Sequence, residues 1–598
     1  LGLVRLAQRE GAAARKAFRR AIMLAPTHAM THYNEGVALQ MLRNGKLALR
    51  AYQRALALDP QLGAADFNIG IIFREQGRPD RAIAAFERVL AHDPQHVPAH
   101  KALADILQDE RRVDAWFKAF DRFEVACPSA LALLVVALEA CHYRADFAAL
   151  NRYLDRLRQD EFKASSETEL ADCLEELLFL LLYFDFEPEA QLGLYNAYNV
   201  IAPRVYGAPL ALPEERRPGR IRIGYVSGDL RNHVMGKMMW PALKRHDRER
   251  FELFFYSLST TSDEWTERYR GLADHFEVIA ELSERDAAGR IAADELDILV
   301  DLSTHTRGSK PGIVALKPAR VQITHIASAG VVGLSTIDFK LTDPYADLPE
   351  SQALQLETLL PMQGCVYPYR HIAPAVDHPF HRARLEIALD AVVIGAFVNP
   401  LKLSRRCLAL WREVLERIPS AVLAISPVSP ERRVVYGRLL SAAGIPEARV
   451  RVVPQGRDEA ENQARYSLVD FALDPMPYGG VNGTLEALDM SVPVVTLVGR
   501  KHGERSTYSI LANLGVTQTV ATSGSEYIEI ALRLATDAAF KAEVEAAIRA
   551  GLQRSPLTDM DAHTRHLEHA YLQALEQRYP AALAAIRNGS SSNVARPH

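Results

Sequence analysis

Cysteine is scarce and scattered in this chain. Its five cysteines, Cys127, Cys141, Cys173, Cys365 and Cys407, include no CxxC pair. That spacing excludes a disulfide framework and a zinc-finger-type site, and it fits a reducing cytoplasm. Long apolar runs are also missing. The longest, such as LALLVVALEA at 131–140, are too short to span a bilayer. Charge excess is small, a net −4, which gives no basis for broad electrostatic capture of nucleic acid. Neither GxGxxG nor a Walker A loop occurs. The single Asp-x-Asp, Asp559-Met560-Asp561, precedes a helix-like segment and reads as an N-cap. No signal peptide is recognisable. The chain opens at Leu1 in mid-pattern, so further residues are expected upstream. The tail NGSSSNVARPH is expected to be disordered.

What is present begins with a period. Pro26, Pro60, Pro94 and Pro128 each follow a helix-like run, and an aromatic stands at a fixed distance before each: Phe18, Tyr52, Phe86 and Phe120. Ala14, Ala48 and Ala82 recur ahead of the first three aromatics. Gly36 and Gly70 hold matching first-helix positions, with Ala104 in their place one repeat later. This is the helix–turn–helix spacing of tetratricopeptide repeats. Such repeats bury their apolar faces only by stacking, which builds a superhelix with a concave groove. The groove suits an extended polypeptide; a spacer or dimer surface is the plainer alternative.

At 598 residues the chain needs several cores. The expected division is repeats over 1–130, a helical extension and linker over 131–218, and one α/β lobe over 219–385. A second lobe over 386–558, a helical segment over 559–587 and a tail over 588–598 follow. In the first lobe IRIGYVS, FELFFYSL, HFEVIAEL, LDILVDLS and RVQITHIAS read as buried strands between helices. In the second, AVVIGAFVN, AVLAISP, RVRVVP, DFALDP and VPVVTLVG do the same. The fold class is therefore an N-terminal α-superhelix followed by two Rossmann-like lobes, with a ligand cleft between the lobes.

Three places carry chemistry. GYVSGDLRNHVMG (224–236) puts His233 in a strand-to-helix turn, where it either faces the cleft or pairs with backbone at a helix start. LDPMPYGGVNGTLEALDM (473–490) runs from a strand through Gly479, Gly480 and Gly483 into a helix, either a phosphate cradle or a tight turn. Glu486, one turn on, either accepts from ribose hydroxyls or matches the helix dipole. Lys402, in FVNPLKLS, stands at a strand's carboxyl end, either reaching a phosphate or solvated.

Taken together, the repeats, RIRIGYVSGDLRNH, DLSTHTRG, FVNPLK and LDPMPYGGVNGTLEAL resemble the O-linked N-acetylglucosamine transferases, over nearly the whole chain. The resemblance implies a GT-B fold and an inverting, metal-independent transfer. N-acetylglucosamine would pass from UDP-N-acetylglucosamine to serine or threonine hydroxyls of proteins, with no cofactor and no metal. It implies that Lys402 steadies the diphosphate and that His233 lies near acceptor and sugar, as a proposed base. It implies that Asn399 lies near uridine and sugar, and that Asn482, Gly483 and Thr484 hold the diphosphate. Glu486 takes the ribose, Asn462 and Arg465 face the uracil, and His305 lines the cleft. Partners would be UDP-N-acetylglucosamine and protein acceptors along the groove, with no nucleic acid and no membrane. Val481-Asn482-Gly483 replaces a His-Thr-Thr run of the animal enzymes, and Glu486 replaces an aspartate. Ala329-Gly330-Val331-Val332-Gly333 replaces Pro-Gly-Thr-Ser-Gly, a change that bears on sugar or acceptor handling. Two other readings remain: a GT-B enzyme with another UDP-sugar or acceptor, and a UDP-binding scaffold without turnover.

Overall fold

In the computed structural model, residues 1–8, 10–159, 163–326 and 328–580 are described. The tail 588–598 lies outside them. The chain divides into two units, residues 1–141 with 148–164, and residues 142–147 with 165–598. The expected helical block 131–218 is thus shared between them.

The first unit is a run of antiparallel helix pairs: Gly11–Leu24, Ala29–Met41, Gly45–Leu58, Gly63–Glu75, Pro79–His92, Val97–Asp109 and Val113–Ala126. The sequence period has a packing cause. A Cβ on Gly36 would sit 2.5 Å from the Tyr52 ring, and one on Gly70 would sit 2.5 Å from the Phe86 ring. Tyr52 and Phe86 each press a ring edge against the glycine of the preceding helix, and Ala14, Ala48 and Ala82 are fully buried. Gly70→Ala is expected to destabilise the chain by about 1–3 kcal/mol through overpacking. Urea unfolding reads this as a lower midpoint, and an unchanged midpoint contradicts the ring placement.

The second unit holds two parallel sheets. The first is built from β1 (Ile221–Ser227), β2 (Phe251–Ser257), β3 (His275–Val278), β4 (Ile298–Asp301), β5 (Val321–Thr324), β6 (Phe339–Thr342) and β7 (Thr358–Pro361). Its order is β3-β2-β1-β4-β5-β6-β7. The second is built from β8 (Val392–Ala396), β9 (Ala421–Ile425), β10 (Val450–Val452), β11 (Phe471–Leu473), β12 (Val494–Leu497) and β13 (Val520–Ala521), in the order β10-β9-β8-β11-β12-β13. Both orders reverse between the first and fourth strands, the dinucleotide-fold topology, so each lobe has a switch point at β1/β4 or β8/β11. The expected strands are present, β1 at its full expected length and the others shorter, and β6, β7 and β13 were not anticipated.

The carboxyl ends of the two sheets face each other. Asp347, after β6, accepts from His502, after β12, at 2.7 Å, and Ser509 donates to Asp343 at 2.5 Å. The helix Met560–Arg578 returns to the first lobe. Its Thr564 donates to the Ala242 carbonyl, and its Glu568 pairs with buried His246 at 2.9 Å. The helix Pro188–Tyr206 also packs on that lobe, with Asn199 accepting from the Ser335 amide. No helix among the described residues is long and apolar enough to cross a membrane. All five cysteines are buried, and none is in a disulfide.

Candidate active site

The site residues fall on the two switch points because the loops leaving β1, β4, β8 and β11 are the ones that splay apart there. In the first lobe, β1 leads into a short loop and then the helix Val234–Leu243. The loop is held by consecutive tight turns, Arg231 N–H to Asp229 O and His233 N–H to Arg231 O, each 2.7 Å. Asp263 accepts from the Asn232 amide at 2.7 Å. His233 is the N-cap. Its Nδ1 lies 3.3 Å from the Met235 amide and 3.2 Å from Asp229 Oδ2, and its side chain is 41% exposed. Partial burial lowers its pKa, against the opposing pull of Asp229. The imidazole is therefore neutral at pH 7, with one ring nitrogen free to accept a proton.

His305, expected to line the cleft, is instead buried at 8% exposure within the loop that leaves β4. It donates through Nε2 to the Val332 carbonyl at 2.7 Å and meets the edge of the Tyr198 ring. Burial pushes its pKa down to about 4, so it is a neutral support for the 329–333 loop. Asp301, at the end of β4, shapes the same loop by accepting from the Ser303 and Thr304 amides, each at 2.9 Å.

In the second lobe Phe397 and Val398 follow β8, and Asn399 caps the single turn Pro400–Lys402 by accepting from the Leu401 amide at 3.1 Å. Asn399 also accepts from Arg432 at 3.1 Å and is exposed. The turn aims Lys402 at the glycine loop after β11. Its Nζ donates to the Gly479 carbonyl at 2.8 Å and lies 4.1 Å over the Tyr478 ring. Burial pushes its pKa down to about 8, with Asp474 pulling the other way. One of its three N–H donors is thus spent on Gly479, and the ammonium remains mostly charged at pH 7.

Asp474 is the residue that the motif reading passed over. Buried at the end of β11, it accepts from the Gly480 amide and from Thr496, each at 2.7 Å. A Cβ on Gly479 would approach Asp474 Oδ2 to 2.9 Å, so the glycines let the loop close over this carboxylate. Burial raises its pKa to about 6. The loop delivers the helix Asn482–Asp489. Its N-cap is Val481, with no side-chain cap, as in the adjacent helix Ser506–Leu514, which starts on Arg505; other helices of this lobe start on Ser404, Ser429, Asp458 and Ser523. The first-turn amides of Asn482 and Gly483 are left for an outside acceptor. Thr484 is buried and bonds to Thr507 at 2.9 Å, so its hydroxyl holds the helix rather than a ligand.

Glu486, one turn in, is reached by the Asn482 carboxamide and by the Tyr466 hydroxyl at 3.4 Å. Burial raises its pKa, and Arg465 counters this. Arg465 is 6% exposed. It donates to Ser426 at 2.6 Å and to the Asn462 carbonyl at 3.0 Å, and its guanidinium lies 5.0 Å from the Phe397 ring centre. The Asn462 carboxamide oxygen accepts from Gly456 N–H at 2.8 Å. The structure therefore joins Arg465, Phe397, Tyr466, Asn482 and Glu486 in one cluster beside the helix start. Met238, from the helix that His233 caps, shares a small pocket with Asn482, Leu485 and Glu486, so the two lobes converge here. Among the described residues no group of three or more His, Cys, Asp or Glu is placed to hold a metal ion. Asp559 of the Asp-x-Asp caps the last helix through the Ala562 amide, and Asp561 pairs with Arg245.

Comparison with known proteins agrees with this architecture. The model of Glycosyl transferase family 41 matches residues 198–362 and 379–567, and tetratricopeptide-repeat models match 1–62 and 73–115. The chain is 31% identical over 362 residues to a probable UDP-N-acetylglucosamine–peptide N-acetylglucosaminyltransferase SPINDLY of Oryza sativa, covering 58% of this chain and 38% of that protein. The corresponding SEC protein of Arabidopsis thaliana is 26% identical over 415 residues, 66% of this chain and 42% of that one. The chain spans about two fifths of the length of these relatives. A solved structure of a Thermobaculum terrenum O-GlcNAc transferase mutant superposes with a TM-score of 0.66 at 26% identity, covering 93% of this chain and 99% of the other. With a stacked-helix array ahead of two facing dinucleotide-fold lobes, and with the family model spanning both lobes, the chain belongs to glycosyl transferase family 41.

Proposed function

We propose that this protein transfers N-acetylglucosamine from UDP-N-acetylglucosamine to serine or threonine hydroxyls of proteins, with inversion at the anomeric carbon and no divalent cation. The observation that carries the reading is the pairing of Lys402 with an uncapped helix start at one switch point. The departing diphosphate gains negative charge, and preorganised cations and amides stabilise developing charge better than water does. Lys402 and the 482–483 amides would supply that stabilisation, the work a metal does elsewhere. Glu486 and Arg465 would hold ribose and base, with the Phe397 ring behind them. His233, on the opposite lobe, would take the acceptor proton. Attack from the His233 side opposite a departing diphosphate gives inversion. The repeats would present the polypeptide. The names of the relatives support the donor and acceptor assignment.

The test is transfer of labelled sugar from a panel of UDP- and GDP-sugars to protein acceptors, with and without chelator. The reading expects UDP-N-acetylglucosamine to lead and chelator to have no effect. A different preferred donor, or loss of transfer with chelator, overturns the corresponding part.

The depressed pKa of Lys402 gives a pH prediction with a definite sign. The ammonium is charged below about 8 and neutral above it. UDP affinity is therefore expected to hold near pH 7.5 and to fall about tenfold by roughly pH 9.5, as the cation is lost. Calorimetry across that range checks it, and Lys402→Met should flatten the profile. An equally steep fall in the variant assigns the titration elsewhere.

A further inference from the structure

We propose that His142 is a positioning residue for Lys402: its Nε2–H holds the Pro400 carbonyl and so aims the turn that carries the ammonium. The inference rests on the reading of Lys402 as the cation for the diphosphate given above.

His142 lies in neither sheet lobe. It stands next to last in the helix Leu131–Tyr143 and belongs, with residues 143–147, to the second unit. Its side chain is fully buried, and Nε2 lies 3.0 Å from the Pro400 carbonyl oxygen. A carbonyl can only accept, so the imidazole carries its proton on Nε2. Burial pushes its pKa down to about 4, against the opposing pull of that carbonyl, and the ring is neutral at pH 7. The other nitrogen, Nδ1, meets no polar partner among the described residues, and the rings of Phe147 and Phe184 stand edgewise to the imidazole. As filling, an apolar side chain would suit this place better, because a buried unpaired polar atom is costly. What the imidazole adds is one aimed donor.

The acceptor belongs to the turn that carries Lys402. That turn is closed by Lys402 N–H to the Asn399 carbonyl at 2.9 Å and by Leu403 N–H to the Pro400 carbonyl at 3.1 Å. The second donor, from His142, fixes the plane of the Pro400–Leu401 peptide, one link before Lys402. The flanks are held as well. Arg432 donates both to the Tyr143 hydroxyl and to the Asn399 side-chain oxygen, and Ser404 gives its hydroxyl to Asp185. Lys402 thus reaches the Gly479 carbonyl from a turn tied down at residues 399, 400 and 404. Without His142 the Pro400 carbonyl keeps its Leu403 partner, so no acceptor is orphaned and the loss falls on aim rather than on folding.

A double-mutant cycle with Lys402→Ala, read by single-turnover transfer, separates aim from packing. His142→Leu keeps a similar volume and removes the donor. It should lower transfer by about 10–10²-fold, the scale of a small misplacement of a catalytic group. The thermal midpoint should be no lower than wild type. His142→Gln, whose side-chain amide can donate to the same carbonyl, should restore part of the rate. In the Lys402→Ala background His142→Leu should change the rate by less than about twofold, because the group it aims is gone. Transfer within about twofold of wild type in His142→Leu overturns the proposal, and so does an equal fold-loss in both backgrounds, which a purely structural role would give. Both of these outcomes leave the reading of Lys402 standing. Near-wild-type transfer in Lys402→Ala alone overturns that reading, and the proposal with it.

Discussion

Lys402→Ala is expected to lower transfer by about 10³-fold, at the upper end of what removing one preorganised charge-stabilising group costs. Lys402 has its ammonium placed by the Asn399-capped turn, the Gly479 carbonyl and the face of Tyr478. Among the residues gathered at the glycine loop it is the cation that contacts the loop itself; Arg465 is committed to Ser426 and the Asn462 carbonyl. UDP affinity should fall less than the rate, about tenfold, because charge on the diphosphate grows towards the transition state. Lys402→Arg should rescue poorly, since a planar fork does not fit a space shaped for a compact ammonium between a carbonyl and a ring. Single-turnover transfer and calorimetry give the two numbers. A rate within about tenfold of wild type would sink the role.

His233→Ala should cut kcat by about 10²–10⁴-fold, the usual contribution of a general base, with UDP affinity unchanged. The separation follows from the architecture: His233 belongs to the first lobe, and the groups assigned to UDP belong to the second. The wild-type rate should also decline below the lowered histidine pKa, where the ring is protonated and cannot accept. Normal turnover in the mutant would remove any catalytic role. Equal losses in rate and in UDP affinity would place His233 in binding instead.

The sequence made the local features legible and missed the non-local ones. Gly36 and Gly70 repeat because an aromatic of the next helix must lie on each, a constraint that sequence spacing records. The strands before His233 and Lys402 are long apolar runs, hence readable. The short strand β6 was not, because FKLT carries Lys340, buried only through its pairing with Asp347 at 3.2 Å. Strand β13 has two residues and no pattern to read. Asp474 stood inside a quoted motif, yet its task depends on Thr496 in the neighbouring strand β12 and on the fold of Gly480. Tyr466 and Tyr478, which touch Glu486 and Lys402, were not singled out, because nothing local in the sequence marks these contacts. His305 sits in a loop at a strand end, as expected, but turns inward to a carbonyl, a choice made by packing against Tyr198. The return of the last helix to the first lobe is fixed by buried pairs such as His246 with Glu568, which no local pattern encodes.

The central claim is that the second lobe's switch point holds a uridine diphosphate through Lys402 and an open helix start, without a metal. Calorimetric titration with UDP, with GDP and ADP as controls and with and without chelator, tests it most directly. The account predicts selective micromolar UDP binding that ignores the chelator and weakens about tenfold in Lys402→Ala. No UDP binding, or binding that the chelator abolishes, would contradict it.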